Sequence, residues 1–332
     1  MRELKNKLTS GKNTKNTQGR KGKMFGYQVL GFGSGGGAGL IEVDYLVIAG
    51  GSTGGKRHGG GGAAGGYRTS FPGGTKIAIP SGVAITVGAG GSHPGSRPTG
   101  GNNRGGDSII ADLITSTKAG GGMGYNAPTS SYPAYMDGGS GGGAAHGGPQ
   151  SSGGAGNTPP TTPPQGNDGG PAPSLHGGGG GGSGGNGVGG GPGAAGNGGS
   201  NSGSSITGSS VPRAGGGGGA GFHGAGSGSG GGGGAQGGVT NSSSSSAASA
   251  NTGSGSGGTG GGASPESEGT PGNGGSGIVI IRVAAADAPG GLTIAPGTNS
   301  ISDDGGDKVC TISFSCRITI ISNFIITYTS NS

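Results

Sequence analysis

Apolar residues are confined to a few short stretches, and each stretch has a period. Residues 41–49, Ile-Glu-Val-Asp-Tyr-Leu-Val-Ile-Ala, are rich in β-branched and aromatic residues and run into Gly50-Gly51, which predicts a strand. Residues 76–79 (Lys-Ile-Ala-Ile), the turn residues Pro80-Ser81-Gly82, and residues 83–87 (Val-Ala-Ile-Thr-Val) read as a hairpin. In it Ile77 and Ile79 share one face, as do Val83, Ile85 and Val87. Residues 108–117, with Ile109, Ile110, Leu113 and Ile114, predict a weaker strand pair. Residues 278–283 form the continuous apolar run of a buried strand. Residues 309–321 alternate, with Cys310, Ile312, Phe314, Cys316, Ile318 and Ile320 on one face of a long strand, and residues 323–328 return as its partner.

Between these stretches, residues 50–277 carry most of the chain's 99 glycines. Hydrophobic residues make up only 27% and tryptophan is absent, so little apolar surface is available to offset the ordering of the chain. That ordering costs about 1–2 kcal/mol per residue and most for glycine. High Gly and Pro without a period commonly mean an unfolded chain. Collagen is excluded, because the runs 59–62, 177–182 and 215–219 break any triplet register. The ordered alternative is a bundle of polyglycine-II helices. Such helices have no internal hydrogen bonds, so their N–H and C=O groups must bond to neighbours. A net hydrogen bond contributes only about 0.5–1.5 kcal/mol, so the apolar stretches are expected to brace the bundle's ends. The inserts 125–135, 158–173, 201–212, 240–252 and 264–271 are rich in Pro, Ser or Asn and read as surface connections between back-and-forth rods. The expected fold class is mostly irregular and β: polyglycine-II helices bracketed by short strands, with no substantial α-helix. The chain is expected to divide into a basic arm and docking segment over 1–40, a glycine-rich domain over 41–283, and a C-terminal strand segment over 284–332.

The net charge of +6 is concentrated in residues 1–23, where Arg2, Lys5, Lys7, Lys12, Lys15, Arg20, Lys21 and Lys23 face only Glu3. This reads as a solvated arm able to meet an acidic surface. Residues 24–32 read as a docking segment or first strand; they are too short and glycine-broken for a secretory signal. No stretch is long enough to span a bilayer.

Enzymatic signals are weak. Residues 50–56 nearly match a phosphate-binding loop, but Arg57 stands where Ser or Thr is needed, and Gly59 to Gly62 cannot start a helix. Gly-x-Ser-x-Gly around Ser140 or Ser183 follows from glycine content alone. His58, His93, His146, His176 and His223 are scattered without ligand spacing. Asp303, Asp304 and Asp307 around Gly305-Gly306 read as a solvated turn rather than a calcium loop. Cys310 and Cys316, on one extended strand, would lie about 20 Å apart, beyond a disulfide's reach. They are expected as core thiols or as cross-links between copies. No catalytic residue, cofactor or metal is expected. The one aromatic cluster in the glycine tract is Tyr125, Tyr132 and Tyr135, beside Met123 and Met136. It offers either a contact surface or a plug for the end of the bundle.

Four blocks occur in order: residues 44–51 (Asp-Tyr-Leu-Val-Ile-Ala-Gly-Gly), 59–68 (Gly-Gly-Gly-Gly-Ala-Ala-Gly-Gly-Tyr-Arg), 85–91 (Ile-Thr-Val-Gly-Ala-Gly-Gly) and 274–282 (Gly-Gly-Ser-Gly-Ile-Val-Ile-Ile-Arg). Together they resemble the signature of viral glycine-rich domains, which include phage tail-fibre tip adhesins folded as polyglycine-II sandwiches. The resemblance covers about residues 41–283. It implies a non-enzymatic, extracellular protein of the virion surface whose loops at one end bind a host receptor, either a glycan or an outer-membrane protein. Tyr125, Tyr132 and Tyr135 are then the receptor-contact candidates, and other virion or fibre subunits are partners; no nucleic acid is expected. The basic arm lies outside that pattern, and the chain stops soon after the strand that often leads into such a domain. The competing expectation is a structural fibre component that self-associates through its glycine bundle and its C-terminal strands, which present edges. Ice binding by a flat glycine bundle is a third, disfavoured by the irregular inserts.

Overall fold

The computed structural model describes residues 40–93, 103–125, 134–147, 151–221, 229–238, 243–261, 269–288, 291–295 and 299–320. The basic arm, residues 24–32, Tyr132, His223 and the predicted strand 323–328 lie outside them. The chain divides into two units, Met1–Leu40 and Ile41–Ser332, and every described strand belongs to the second.

The strands are β1 (Ile41–Ile48), β2 (Tyr67–Thr69), β3 (Ile77–Ile79), β4 (Val83–Thr86), β5 (Ser108–Ile110), β6 (Ile114–Ser116), β7 (Ser202–Ser204), β8 (Val211–Arg213), β9 (Ile278–Ala284), β10 (Leu292–Ala295), β11 (Ser300–Asp304), β12 (Asp307–Ile312) and β13 (Cys316–Ile320). One 3-10 turn spans Ala285–Asp287, and the described residues contain no α-helix. The first sheet has the order β11-β12-β9-β1-β2, with β3 also on β1; the second is β10-β13-β4-β5-β6. All the pairings within them are antiparallel. Alternate residues of β1 and β9 explain the stacking. Val43, Tyr45, Val47, Val279, Ile281 and Val283 meet Val83, Ile85, Ile110 and Ile318 of the second sheet in one buried core. The opposite faces of the same two strands bury Leu46, Ile48, Ile278 and Ile280 against Ile206, Ala214 and Ala64. A strand buried on both faces reads as a continuous apolar run, which is why residues 278–283 look as they do.

Three strand expectations are corrected. Residues 76–87 are not a hairpin: β3 pairs with β1 in the first sheet, whereas β4 pairs with β13 and β5 in the second. The chain turns a corner between sheets at Gly82, whose φ of +81° suits glycine and whose N–H donates to the Ile318 carbonyl. The corner keeps Ile79, Val83 and Ile85 in one core, so alternation alone does not separate the two arrangements. The alternating run 309–321 is likewise two strands. Asn299 breaks it, its Oδ1 accepting from the N–H groups of Ser313 and Phe314 and its Nδ2 donating to the Phe314 carbonyl. As a result β12 and β13 lie in different sheets, each between two neighbours, and do not present the free edges expected of them. Phe314, at the crossing, is exposed. Of the described strands in residues 284–332, β11 and β12 extend the first sheet and β10 and β13 the second.

The glycine tract is an ordered array. In residues 59–66, Gly60, Ala63 and Gly66 donate to the carbonyls of Met123, Gly120 and Thr117. Gly61 and Ala64 donate to Gly178 and Gly181, while Gly59, Gly62 and Gly65 donate to Thr259, Ser256 and Gly253. Each neighbour is addressed at every third residue, the repeat of a polyglycine-II helix with about three residues per turn. Residues 177–183 follow the same rule: Gly177, Gly180 and Ser183 donate to Ala220, Gly217 and Ala214; Gly178 and Gly181 to Ala144 and Gly141; Gly179 and Gly182 to Val188 and Gly185. Residues 59–66 are hydrogen-bonded to six surrounding segments: 49–55, 117–123, 140–143, 178–181, 217–220 and 253–259. That is hexagonal packing of rods, and it leaves no room for a side chain at its glycine positions. A Cβ on Gly61 would fall on the carbonyl oxygen of Gly217, and one on Gly62 on that of Ser52.

Candidate functional site

The array has two different ends. Strand β1 runs directly into residues 49–55, the chain turns at 56–58, and residues 59–66 lead back into β2. The turn at 56–58 therefore lies at the end away from the sheets, the distal end. By the same pairing, residues 117–124 leave β6 and reach that end at Tyr125, and residues 138–145 reach it at His146.

At the distal end Arg57 and His58 hold φ values of +53° and +56°, a left-handed conformation that is uncommon outside glycine. Hydrogen bonds clamp the turn: the Lys56 carbonyl accepts from Tyr125 N–H at 3.1 Å, the His58 carbonyl from His146 N–H at 3.3 Å, and Thr259 Oγ1 from Arg57 N–H at 3.2 Å. The Arg57 guanidinium sits 4.7 Å from the centre of the Tyr125 ring, within the range of a cation–π contact. The His58 ring meets Tyr125 edge-on at 5.8 Å and His146 at 6.1 Å. A Cβ on Gly147, at φ +63°, would run into the Tyr125 ring, so the chain there must approach as bare backbone. His146 Nδ1 is 2.9 Å from the Ser174 carbonyl, and His176 Nε2 is 3.2 Å from that of Pro192. His58, His146 and His176, scattered in sequence, thus stitch successive distal connections together. Their separations of 88 and 30 residues carry no recognisable signal. Arg57 is a contact residue that the sequence does not reveal, because only the turn brings it over Tyr125.

The structure separates the receptor-contact candidates. Tyr125 is half-buried in the distal cluster. Tyr135 is 6% exposed and packs with Met123, Met136, Ala144, Ala145 and Ala172, with its ring against the side of the rod at Gly121. Tyr132 lies outside the described residues. The approach to Tyr135 is held by Arg104, whose guanidinium donates to the carbonyls of Ala119, Ala134 and Asp137.

Other sequence motifs resolve as structure. Residues 50–55 are a rod followed by the distal turn, with no helix to meet a phosphate. Gly305 and Gly306, at φ +59° and +95°, turn β11 into β12. Asp304 and Asp307 beside them both pair with Arg282, at 2.6 and 2.8 Å, and Asp303 pairs with Lys308. Burial opposes the Arg282 charge, but the hydrogen bonds it donates to Asp304 and Asp307 outweigh this and raise its pKa. Cys310 and Cys316 are free thiols on the two facing sheets, directed at the same core, so the distance expected from a single strand does not apply. Burial, with a smaller contribution from Cys316, pushes the Cys310 thiol up to about 12. No group of three or more His, Cys, Asp or Glu among the described residues is arranged to hold a metal, and none of the described helices is long and apolar enough to cross a membrane.

Against known proteins, a glycine-rich domain model matches residues 37–284, most of the chain. Neither a curated protein nor a solved structure matches it.

Proposed function

The chain belongs to the glycine-rich domain family, and from that premise we propose that it is a non-enzymatic virion-surface protein, a tail-fibre tip adhesin that binds a host receptor through its distal end. One observation carries this reading: the turn at Arg57-His58, Tyr125 and His146 converge at the end of a rod array whose other end is closed by a β-sandwich. Binding residues are favoured on loops held by a rigid scaffold, and a scaffold without side-chain freedom loses little entropy on binding. Arg and Tyr are also the residue types that dominate recognition surfaces. The partner is a cell-surface glycan or outer-membrane protein, and the place of action is outside the cell.

The test is binding of the purified full chain to a panel of intact bacteria. Arg57→Ala and Tyr125→Ala are expected to weaken binding by roughly tenfold or more while thermal melting stays close to wild type. Binding that both variants leave unchanged removes the distal end as the contact. A second reading, self-association as a fibre component, is favoured by edge strand β11, whose Ile301 is exposed. Sedimentation of concentrated protein separates the two, since a stable monomer counts against self-association.

A further inference from the structure

At the opposite end from the distal cluster, a cavity of about 440 Å³ opens at the β2 edge of the first sheet. Its size is that of a small-molecule site. Buried Tyr45, half-buried Tyr67 and Arg68, and the hydroxyl residues Thr75, Thr162 and Ser202 line it. No carboxylate among the described residues does. Tyrosine offers an apolar ring with a polar tip, serine and threonine hydroxyls both donate and accept, and a guanidinium matches a carboxylate or sulfate with paired N–H groups.

Two further features bear on the site. The wall carrying Thr162 is fixed before any ligand arrives. Asn157 Oδ1 accepts from Thr161 N–H, Thr161 Oγ1 and Gln165 N–H at 3.0–3.2 Å. Gln165 Nε2 in turn donates to the Pro159 carbonyl and to Thr117 Oγ1. Close to Tyr67 stands Arg213, the register partner of Ser202 in the β7–β8 pair. It is 8% exposed, and its Nη1 is buried without a hydrogen-bond partner. Arg68 itself donates through Nη1 to the Thr115 carbonyl, and Arg213 as a second guanidinium adds positive potential beside a cavity without a lining acid among the described residues.

We propose that this cavity is a binding site for an acidic saccharide unit, one sugar ring with a carboxylate or sulfate that Arg68 receives. The ring's hydroxyls meet Thr75, Thr162 and Ser202, and its apolar face meets Tyr67. The site is separate from the distal contact and does not depend on it.

Ligand-observed NMR and calorimetry on the full chain test the assignment, using sialic acid, glucuronic acid and a sulfated hexosamine beside their uncharged counterparts. At least one acidic sugar is expected to bind, at least about tenfold tighter than its neutral counterpart. Thr75→Trp, a change at an exposed loop position that fills the mouth, is expected to abolish binding, and Arg68→Gln to weaken it about tenfold. Tyr125→Ala is expected to leave it unchanged, which separates failure of this site from failure of the distal one. No binding at millimolar sugar, equal binding of acidic and neutral sugars, or binding that survives Thr75→Trp in a variant with wild-type melting overturns the proposal.

Discussion

The sandwich and the rod array are held together by opposite means. In the sandwich, Val47, Ile281, Ile85 and Ile318 fill the space between sheets, and cohesion comes from side-chain volume removed from water. In the array around residues 59–66, neighbours approach until amide and carbonyl groups bond directly, which demands glycine, or at most a residue as small as Ala63 or Ala64. A sandwich position tolerates another apolar residue of similar volume. A central glycine such as Gly60, Gly61 or Gly62 tolerates no added atom, because its Cβ would fall on a backbone oxygen. The array's hydrogen bonds nearly balance its ordering entropy, so the sandwich and the smaller core behind β1 and β9 supply the margin that keeps the rods in register.

The sharpest way to break this contrast is a single methyl group inside the array. Gly61→Ala places its Cβ on a backbone oxygen of Gly217, which has no rotamer to yield, and the expected loss exceeds about 4 kcal/mol. Chemical denaturation measures it, and a loss under about 1 kcal/mol would mean that the rods are not packed in this way.

A smaller effect is expected from charging the sandwich. Cys310 has a thiol pKa raised from 9.0 to about 12 by burial. The folded state therefore holds its proton where the unfolded state has lost it. Its contribution to stability is complete below pH 9.0 and declines as pH rises toward about 12. Melting of wild type against Cys310→Ala across that range isolates this group from other alkaline titrations. The advantage of wild type should shrink as pH rises, and a constant difference would refute the buried-thiol assignment.

The smallest effect sharpens the comparison from the other side. Gly193 is exposed, with nothing within 4 Å of an added Cβ. Gly193→Ala should lie between neutral and about 0.5 kcal/mol stabilising, because it restricts only the unfolded chain. Paired with Gly61→Ala, it tests whether packing, rather than glycine content, is what the array requires. A penalty as large as that of Gly61→Ala would reject the distinction.

Several elements are legible because their signals are local. The strand ending at Ile48, the pair around residues 108–116 and the buried run from Ile278 follow from apolar patterns of a few residues. The breaks in glycine register rule out collagen without reference to any fold. The run 76–87 resembles a hairpin, and 309–321 a single strand, because a corner that changes sheets preserves alternation. Both Gly82 and Asn299 act through partners far along the chain. The candidate site is legible only at Tyr125. Its partners Arg57, His58 and His146 are brought to it by rods whose length, not whose sequence, decides where they turn.

By itself the sequence determined that the molecule would rest on strands and on backbone with few side chains, because its composition leaves no other source of cohesion. Only the tertiary structure decided which rods are neighbours, which end carries the histidines and the tyrosine, and which sheet receives each strand. Main-chain hydrogen bonds between glycines are chemically identical wherever they form, so no residue encodes a partner. The choice is made where side chains return, at the sheets and at the turns.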